Sequence, residues 1–268
     1  MEAAPADMVD AWLSRLGLTA APPVTLGGLT TITRAHLDRI PFENLTVFCG
    51  DVPELGLEAL AAKMLHNRRG GYCVEVNPLL CAALRGLGFD ARLRMARVIW
   101  QRDVPGPRSH CVCIVTLDGV EHLVDVGFGG PGPIAPVALN NDAGDVDLRT
   151  RTRAGLGTVL SRQVDVDDWR DLYTFTDELT TMSDVQAGNW LAATMPGSLF
   201  ARTLVVTRQS GDTRLVLDGA LFRKFAKGRE LQAETLQTPD AVITCLQDSF
   251  GLDPVPGLKD ALIRKGIF

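Results

Sequence analysis

Arg68-Arg69-Gly70-Gly71-Tyr72-Cys73-Val74-Glu75-Val76-Asn77 sets a cysteine directly after a glycine pair and directly before a run that can be helical. A thiol at a helix N-terminus sits among unpaired backbone N–H groups, whose partial positive charge favours the thiolate, the attacking species. The two glycines permit a sharp turn and let another molecule approach the backbone closely. The stretch reads as a mounted nucleophile that needs a base from elsewhere in the chain.

Upstream of it the chain reads as helical. Met8, Val9, Trp12, Leu13 and Leu16 follow the spacing of one apolar helix face, and a similar pattern over Leu29–Ile40 stops at Pro41. Further helices are predicted over Glu58–His66 and Cys73–Leu87, the latter closed by Gly86 and Gly88. Downstream, segments rich in β-branched residues predict strands at Ala91–Trp100, Cys111–Leu117, Glu121–Val126, Thr158–Val166, Trp169–Phe175, Arg202–Arg208 and Thr213–Leu217. Asp118-Gly119 predicts a tight hairpin turn. Pro131–Pro136 and Asn140–Asp147 read as loops, and helices return over Ala241–Phe250 and Leu258–Lys265. Helices, then strands, then a mixed end describe an α+β chain.

With 268 residues the chain can bury a sizeable core, and 46% hydrophobic against 22% charged residues is ordinary for a globular protein. A formal net charge of −5 argues against broad binding to nucleic acid or a membrane surface. Arg92, Arg94, Arg97, Arg102 and Arg108 nonetheless form a local basic run that suits a phosphorylated ligand. The first residues lack a basic stretch followed by an apolar run, so no signal peptide is read, and no segment has the apolar length of a membrane span. Six cysteines show neither a disulfide framework nor paired metal-ligand spacing, which fits a reduced, cytoplasmic setting. Cys111 and Cys113 share one strand face and read as small core residues.

Four histidines are available as a base. His36, among charged neighbours, and His66, beside Asn67, Arg68 and Arg69, read as solvated; His122, just after a turn, reads as exposed. His110 stands at the start of an apolar strand behind a Pro-Gly-Pro-Arg-Ser loop and is the best base by location. Asp125 lies among apolar neighbours, and a buried carboxylate must be paired. The Asp118-Gly119 hairpin brings His110 and Asp125 to the same open end. The residues alone leave open whether this is an orienting acid beside a catalytic base or a structural ion pair. Gly127-Phe128-Gly129-Gly130 is either a turn or a source of backbone N–H groups for a phosphate or an acyl oxygen, and it lacks the pattern of a nucleotide triphosphatase loop.

These segments carry a family resemblance. Arg69-Gly70-Gly71-Tyr72-Cys73-Val74-Glu75 resembles the RGGxCxE motif of the arylamine N-acetyltransferases, and Pro41-Phe42-Glu43-Asn44-Leu45 resembles their PFEN segment. Asp125-Val126-Gly127-Phe128-Gly129 resembles their DVGFG segment, and Asn189-Trp190 through Pro196-Gly197-Ser198-Leu199-Phe200 is similar to their NWxxSTxPxSxF stretch. The motifs stand in family order and span roughly Trp12 to Leu252.

The resemblance implies a fold related to papain-like cysteine enzymes. A helical bundle over 1–88 would carry the nucleophile, a β-barrel over 89–200 would carry histidine and aspartate, and an α/β lid would occupy 201–268. It implies a Cys73, His110, Asp125 triad and a two-step reaction. Cys73 would take acetyl from acetyl-CoA, and an arylamine, arylhydrazine or arylhydroxylamine would then remove it. The resemblance calls for no metal and no tightly bound cofactor, with acetyl-CoA as co-substrate. Phe42, Val98, Phe128 and Phe200 are implied for the acceptor pocket, and Trp100, Gly127, Gly129 and Gly130 for the CoA side. Arg69 and Glu75 are expected to brace the motif. The implied partners are small molecules, with no nucleic acid or membrane; a homo-oligomer is compatible. Val74, Ala193, Met195 and Leu199, with Cys111 and Cys113, depart from common family residues. An amide synthase closing an ansamycin-type polyketide shares the triad logic and is the alternative. A cysteine hydrolase and a silent ligand-binding protein are readings of other classes.

Overall fold

The helix Cys73–Gly86 is buried from Cys73 through Leu84, the mark of a helix enclosed by other elements on every side. The computed structural model describes residues 2–140, 147–166, 168–253 and 255–268, so most of the loop expected over Asn140–Asp147 lies outside the described residues. Before the central helix come α1 (Ala6–Leu16), α2 (Leu26–Arg39), the two-residue β1 (Phe42–Glu43), α3 (Leu45–Cys49), α4 (Leu57–Ala61) and a π-helical turn, Ala62–His66. The central helix is α5. The Thr25 hydroxyl caps α2 by accepting from the Gly28 N–H at 3.2 Å.

Seven antiparallel strands follow: β2 (Asp90–Val98), β3 (Arg108–Leu117), β4 (Val120–Val124), β5 (Val137–Ala138), β6 (Leu148–Arg153), β7 (Gly157–Asp165) and β8 (Asp168–Phe175). Their order is β5-β4-β3-β2-β8-β7-β6. The Thr150 hydroxyl on β6 donates to the Ala138 carbonyl on β5 at 2.9 Å, bridging the ends into a nearly closed barrel. Alternation along β3 serves two cores. Val112 and Ile114 face the barrel interior with Leu160, Leu172 and Tyr173, whereas Cys111, Cys113 and Val115 join the core that contains α5. Both cysteines are fully buried and, like the other four, unpaired by disulfides.

The last part comprises α6 (Met182–Thr194), α7 (Leu199–Arg202), β9 (Val205–Ser210), β10 (Thr213–Asp218), β11 (Leu221–Ala226), β12 (Arg229–Thr235), α8 (Pro239–Phe250) and α9 (Leu258–Arg264). The second sheet runs β1-β9-β10-β11-β12, so a segment near the N-terminus supplies its edge. The strand expected over Arg202–Arg208 begins at Val205, because 199–202 forms a helical turn. Val206, Leu217 and Phe222 of this sheet pack with Val242, Leu246 and Phe250 of α8. No helix among the described residues is long and apolar enough to cross a membrane.

Two histidines depart from expectation. His36 is fully buried, because it falls on the stripe of α2 that also buries Leu29, Ile32 and Thr33. His122 is buried as well, since its neighbours on β4 are flanked by both β3 and β5. The His36 ring lies edge-on to Trp12 at 6.1 Å, and neither ring nitrogen has a hydrogen-bond partner. Burial, reinforced by the Arg15 charge, lowers its pKa from 6.5 to about 3.

As pH falls through the window from 6.5 to about 3, the unfolded chain takes a proton that folded His36 refuses, so stability is lost. His36→Leu removes that loss and orphans no partner. Relative to wild type, the variant is expected to gain on the order of 2 kcal/mol between about pH 7 and 5, read by denaturant unfolding. Parallel pH profiles for the two proteins would refute this account of His36.

Candidate active site

Two glycines set the positions of the segments around Cys73. A Cβ on Gly70 would lie 2.0 Å from the Pro41 carbonyl oxygen. The Gly71 N–H donates to that oxygen at 3.3 Å, and the Glu43 N–H donates to the Gly71 carbonyl at 3.1 Å. Gly127 meets Cys73 in the same way, for its Cβ would lie 2.6 Å from the Cys73 Cα. Only glycine allows these approaches without displacing backbone.

A buried ionic chain holds the segment before the cysteine. Arg69 donates to Glu43 Oε1 from Nε at 3.0 Å and from Nη2 at 2.7 Å, and Glu43 Oε2 accepts from the Leu45 N–H at 2.6 Å. Lys63 bridges Glu43, at 3.6 Å, and Glu75, at 2.6 Å. Glu75 Oε2 accepts from the Tyr72 N–H at 3.2 Å, capping α5. Burial would raise the Glu43 pKa, but Lys63, Arg69 and the Leu45 N–H together lower it. Arg69 and Glu75 thus brace the turn through hydrogen bonds.

The β3–β4 hairpin turns at Asp118 and Gly119, both at positive φ (49° and 77°). Its register pairs Cys113 with Val124, so extending it sets Asp125 across from Val112, diagonal to His110 on the same face. His110 Nε2 meets Asp125 Oδ2 at 2.8 Å, and both residues are buried. Asp125 Oδ1 accepts from Asn77 Nδ2 at 2.9 Å and from the Gly127 N–H at 2.8 Å. Burial would raise the carboxyl pKa; His110, Asn77 and Gly127 overcome it and lower the pKa. For His110, burial acts to lower the pKa, but Asp125 and the sulfur of Cys73 raise it to about 10. Since Nε2 is engaged by Asp125, the sulfur falls to Nδ1. Cys73 Sγ also lies 3.6 Å from the Ser109 carbonyl.

The expected pocket residues separate into groups. Phe42, Phe128, Gly129 and Gly130 line one narrow cleft with Ile134 and Arg214. Phe200 lies tilted against Phe42 at 5.8 Å and edge-on to Tyr72 at 5.7 Å, behind that lining. Gly127 lies against α5 rather than in the cleft. Val98 pairs with Tyr173 on β8, and Trp100, whose N–H donates to the Leu172 carbonyl at 2.9 Å, packs against the barrel core. Neither Val98 nor Trp100 lines the cleft. The basic run expected to meet a phosphate is largely spoken for. Arg92 pairs with Glu121, Arg94 with Asp177 and Arg108 with Glu178, while Arg97 donates to the Gly106 carbonyl at 3.0 Å.

Three residues of the site carried no expectation. Asn77 holds the junction of helix and barrel, donating also to the Cys111 carbonyl at 2.6 Å and accepting from the Val126 N–H at 3.1 Å. Its signal was present: it follows Cys73 by four residues, on the same helix face. Tyr173 packs its ring, tilted, against His110 at 4.8 Å and Phe128 at 5.2 Å, a contact that depends on the β2–β8 pairing. Arg214 brings charge to the cleft. Burial, with repulsion from Arg162 and Arg223, lowers its pKa to about 10.

Known proteins match this chain over most of its length. A family model described as N-acetyltransferase matches residues 25–255. The arylamine N-acetyltransferase of Mycolicibacterium smegmatis is 40% identical over 256 residues, covering 90% of each chain. The solved arylamine N-acetyltransferase of Salmonella typhimurium superposes with a TM-score of 0.90 at 28% identity, over 97% of this chain and 100% of that one. That of Mycobacterium marinum, solved in complex with CoA, gives 0.86 at 33% identity, over 96% and 98%. Alike in sequence and in fold over nearly its whole length, the chain belongs to the arylamine N-acetyltransferase family.

Proposed function

We propose that this enzyme moves acetyl from acetyl-CoA through a Cys73 thioester to the nitrogen of arylamines or arylhydrazines, or to the oxygen of arylhydroxylamines. The observation that carries the reading is the unbroken contact from Cys73 through His110 to Asp125, with Nε2 of His110 on the carboxylate at 2.8 Å. His110 holds the proton of the thiol, and the sulfur attacks the acetyl carbonyl of acetyl-CoA. The first N–H groups of α5, those of Cys73 and Val74, have no intrahelical acceptor and are offered to the developing oxyanion. Collapse breaks the carbon–sulfur bond to CoA, whose thiolate takes the proton from His110. The amine then attacks the thioester, His110 accepts its proton, and Cys73 is released. Exchange between two thiols is close to balanced in free energy, so the intermediate is accessible from either side. Asp125 keeps the ring in register and stabilises the imidazolium.

The names of the relatives support the acceptor class, and the CoA complex of the Mycobacterium marinum enzyme supports the donor. Phe42 and Phe128 give the cleft an aromatic wall for the acceptor, while Arg214 gives it charge for the phosphates of the donor. In this reading 1–88 supplies the nucleophile, 89–200 the base and acid, and 201–268 the lid. Six free thiols fit a reducing, cytoplasmic setting.

Intact-mass analysis after incubation with acetyl-CoA alone is expected to show one acetyl per chain in wild type and none in Cys73→Ala. No adduct in wild type, or one retained in the variant, would sink the assignment. Asp125→Asn is expected to cost on the order of 10³–10⁴ in kcat. Arg214→Gln should raise KM for acetyl-CoA several-fold and leave kcat near wild type; an unchanged KM removes Arg214 from donor binding.

The His110 shift has a consequence for stability. Between pH 6.5 and about 10 the folded chain keeps a proton that the unfolded chain has released. The contribution is complete below that window and disappears as pH rises through it. The Tm difference between wild type and His110→Gln is therefore expected to be largest near pH 6 and to shrink toward pH 10. A difference independent of pH would contradict a charged His110.

A further inference from the structure

Away from the cleft, α1, α2 and the turn after the π-helix enclose a groove of about 390 Å³. Arg15, Arg39 and Arg68 line it with His66, Ser14 and Gly17, and no carboxylate is among the lining residues. Asp38 meets Arg39 at 3.3 Å from outside the groove, and both groups are well exposed, which leaves that pair weak. No residue of this groove lines the cleft of Phe42, Phe128 and Arg214.

The three guanidiniums are arranged around one space. Arg15 reaches across from α1, donating from Nε to the Met64 carbonyl at 3.1 Å and from Nη2 to the Arg68 carbonyl at 3.5 Å. These two bonds hold its fork at the groove. The Arg39 guanidinium lies over the end of α1, 3.7 Å from where a Cβ on Gly17 would be. Arg68 is held in the left-handed region at φ 51°, unusual for a residue with a long side chain. Arg15 is half-buried, and its pKa is lowered first by burial and then by Arg68 and Arg39. Arg15 thus feels both other cations, with no carboxylate among the residues that line the groove, in a chain whose net charge is −5.

Arginine forks match the oxygens of tetrahedral anions, and several converging on one space favour a multiply charged one. We propose that this groove is a second anion site that takes phosphate or a phosphomonoester, separate from the donor phosphates at the cleft. Arg15 supplies the fixed floor of the site, and Arg39 and Arg68 close on the anion from either rim. Arg68 directly precedes the Arg69–Cys73 turn, so an occupied groove fastens the start of that turn.

The test is a thermal-shift and calorimetric titration of the full chain with inorganic phosphate and with phenyl phosphate, against chloride at matched ionic strength. Wild type is expected to show saturable binding with a rising Tm. Phenyl phosphate binding more tightly would identify an organic monoester as the ligand, and inorganic phosphate binding more tightly would identify the free anion. The Arg39→Gln/Arg68→Gln double variant, changed only at exposed side chains, is expected to weaken binding at least tenfold. Arg214→Gln should leave it unchanged. Absence of saturable binding in wild type would overturn the site, as would a double variant that binds like wild type. Loss of binding in Arg214→Gln alone would assign the anion to the cleft instead and equally overturn it.

Discussion

A single buried carboxylate, Asp125, fastens the barrel to the central helix. A charge removed from water must be paired and hydrogen-bonded or it destabilises the fold. Asp125 meets this condition with His110 on one oxygen, and with Asn77 and the Gly127 N–H on the other. Its partners come from β3, from α5 and from the loop after β4. Moving any one of these elements leaves the charge short of a partner, so the carboxylate sets where the helix end lies relative to the strand end. The position of Cys73 beside His110 follows from that constraint. Gly127 completes it sterically, since any side chain there would strike the Cys73 backbone.

The four segments that look separate in sequence are one bonded unit in space. Glu43 ties to Arg69 and, through Lys63, to Glu75. Asn44 donates to the carbonyls of Phe200 and Thr203 at 2.7 and 2.8 Å and accepts from the Val205 N–H at 2.7 Å, joining the same segment to the second sheet. Asn189 on α6 accepts from the Tyr72 hydroxyl and donates to the Pro53 carbonyl at 2.8 Å. Polar side chains buried this deeply are costly to leave unpaired. Their exchange of partners makes the segments interdependent, and it explains why β1 lies with β9 rather than with the helices around it.

The parts legible in sequence were those set by local chemistry. Asp118-Gly119 fixes a hairpin, and the hairpin puts His110 near Asp125 without any knowledge of the rest. The apolar stripes of α1 and α2 and the run into α5 gave their helices to within a few residues. What escaped depended on distant packing. His36 sits beside charged residues in sequence and is buried because its helix position faces Trp12. β12 has every residue exposed and only Leu231 and Ala233 as apolar residues, so its own composition does not mark a strand; the Lys227-Gly228 turn before it, at φ 48° and 76°, folds it back onto β11. α6 was missed although Thr181 and Asp184 form a readable start signal, the Asp184 carboxylate accepting from the Thr181 N–H at 2.8 Å. The acidic partners of Arg92, Arg94 and Arg108 lie on β4 and on the segment after β8, out of reach of any local reading.

The central claim is that Asp125 and Cys73 together keep His110 as an imidazolium well above the usual pH of its titration. Nitrogen chemical shifts of the His110 ring, recorded by NMR on the ligand-free enzyme between about pH 6 and 10, test it directly. The account predicts two protonated ring nitrogens at pH 8, with loss of one proton only toward pH 10. A neutral ring at pH 8, with one nitrogen bare, would contradict it.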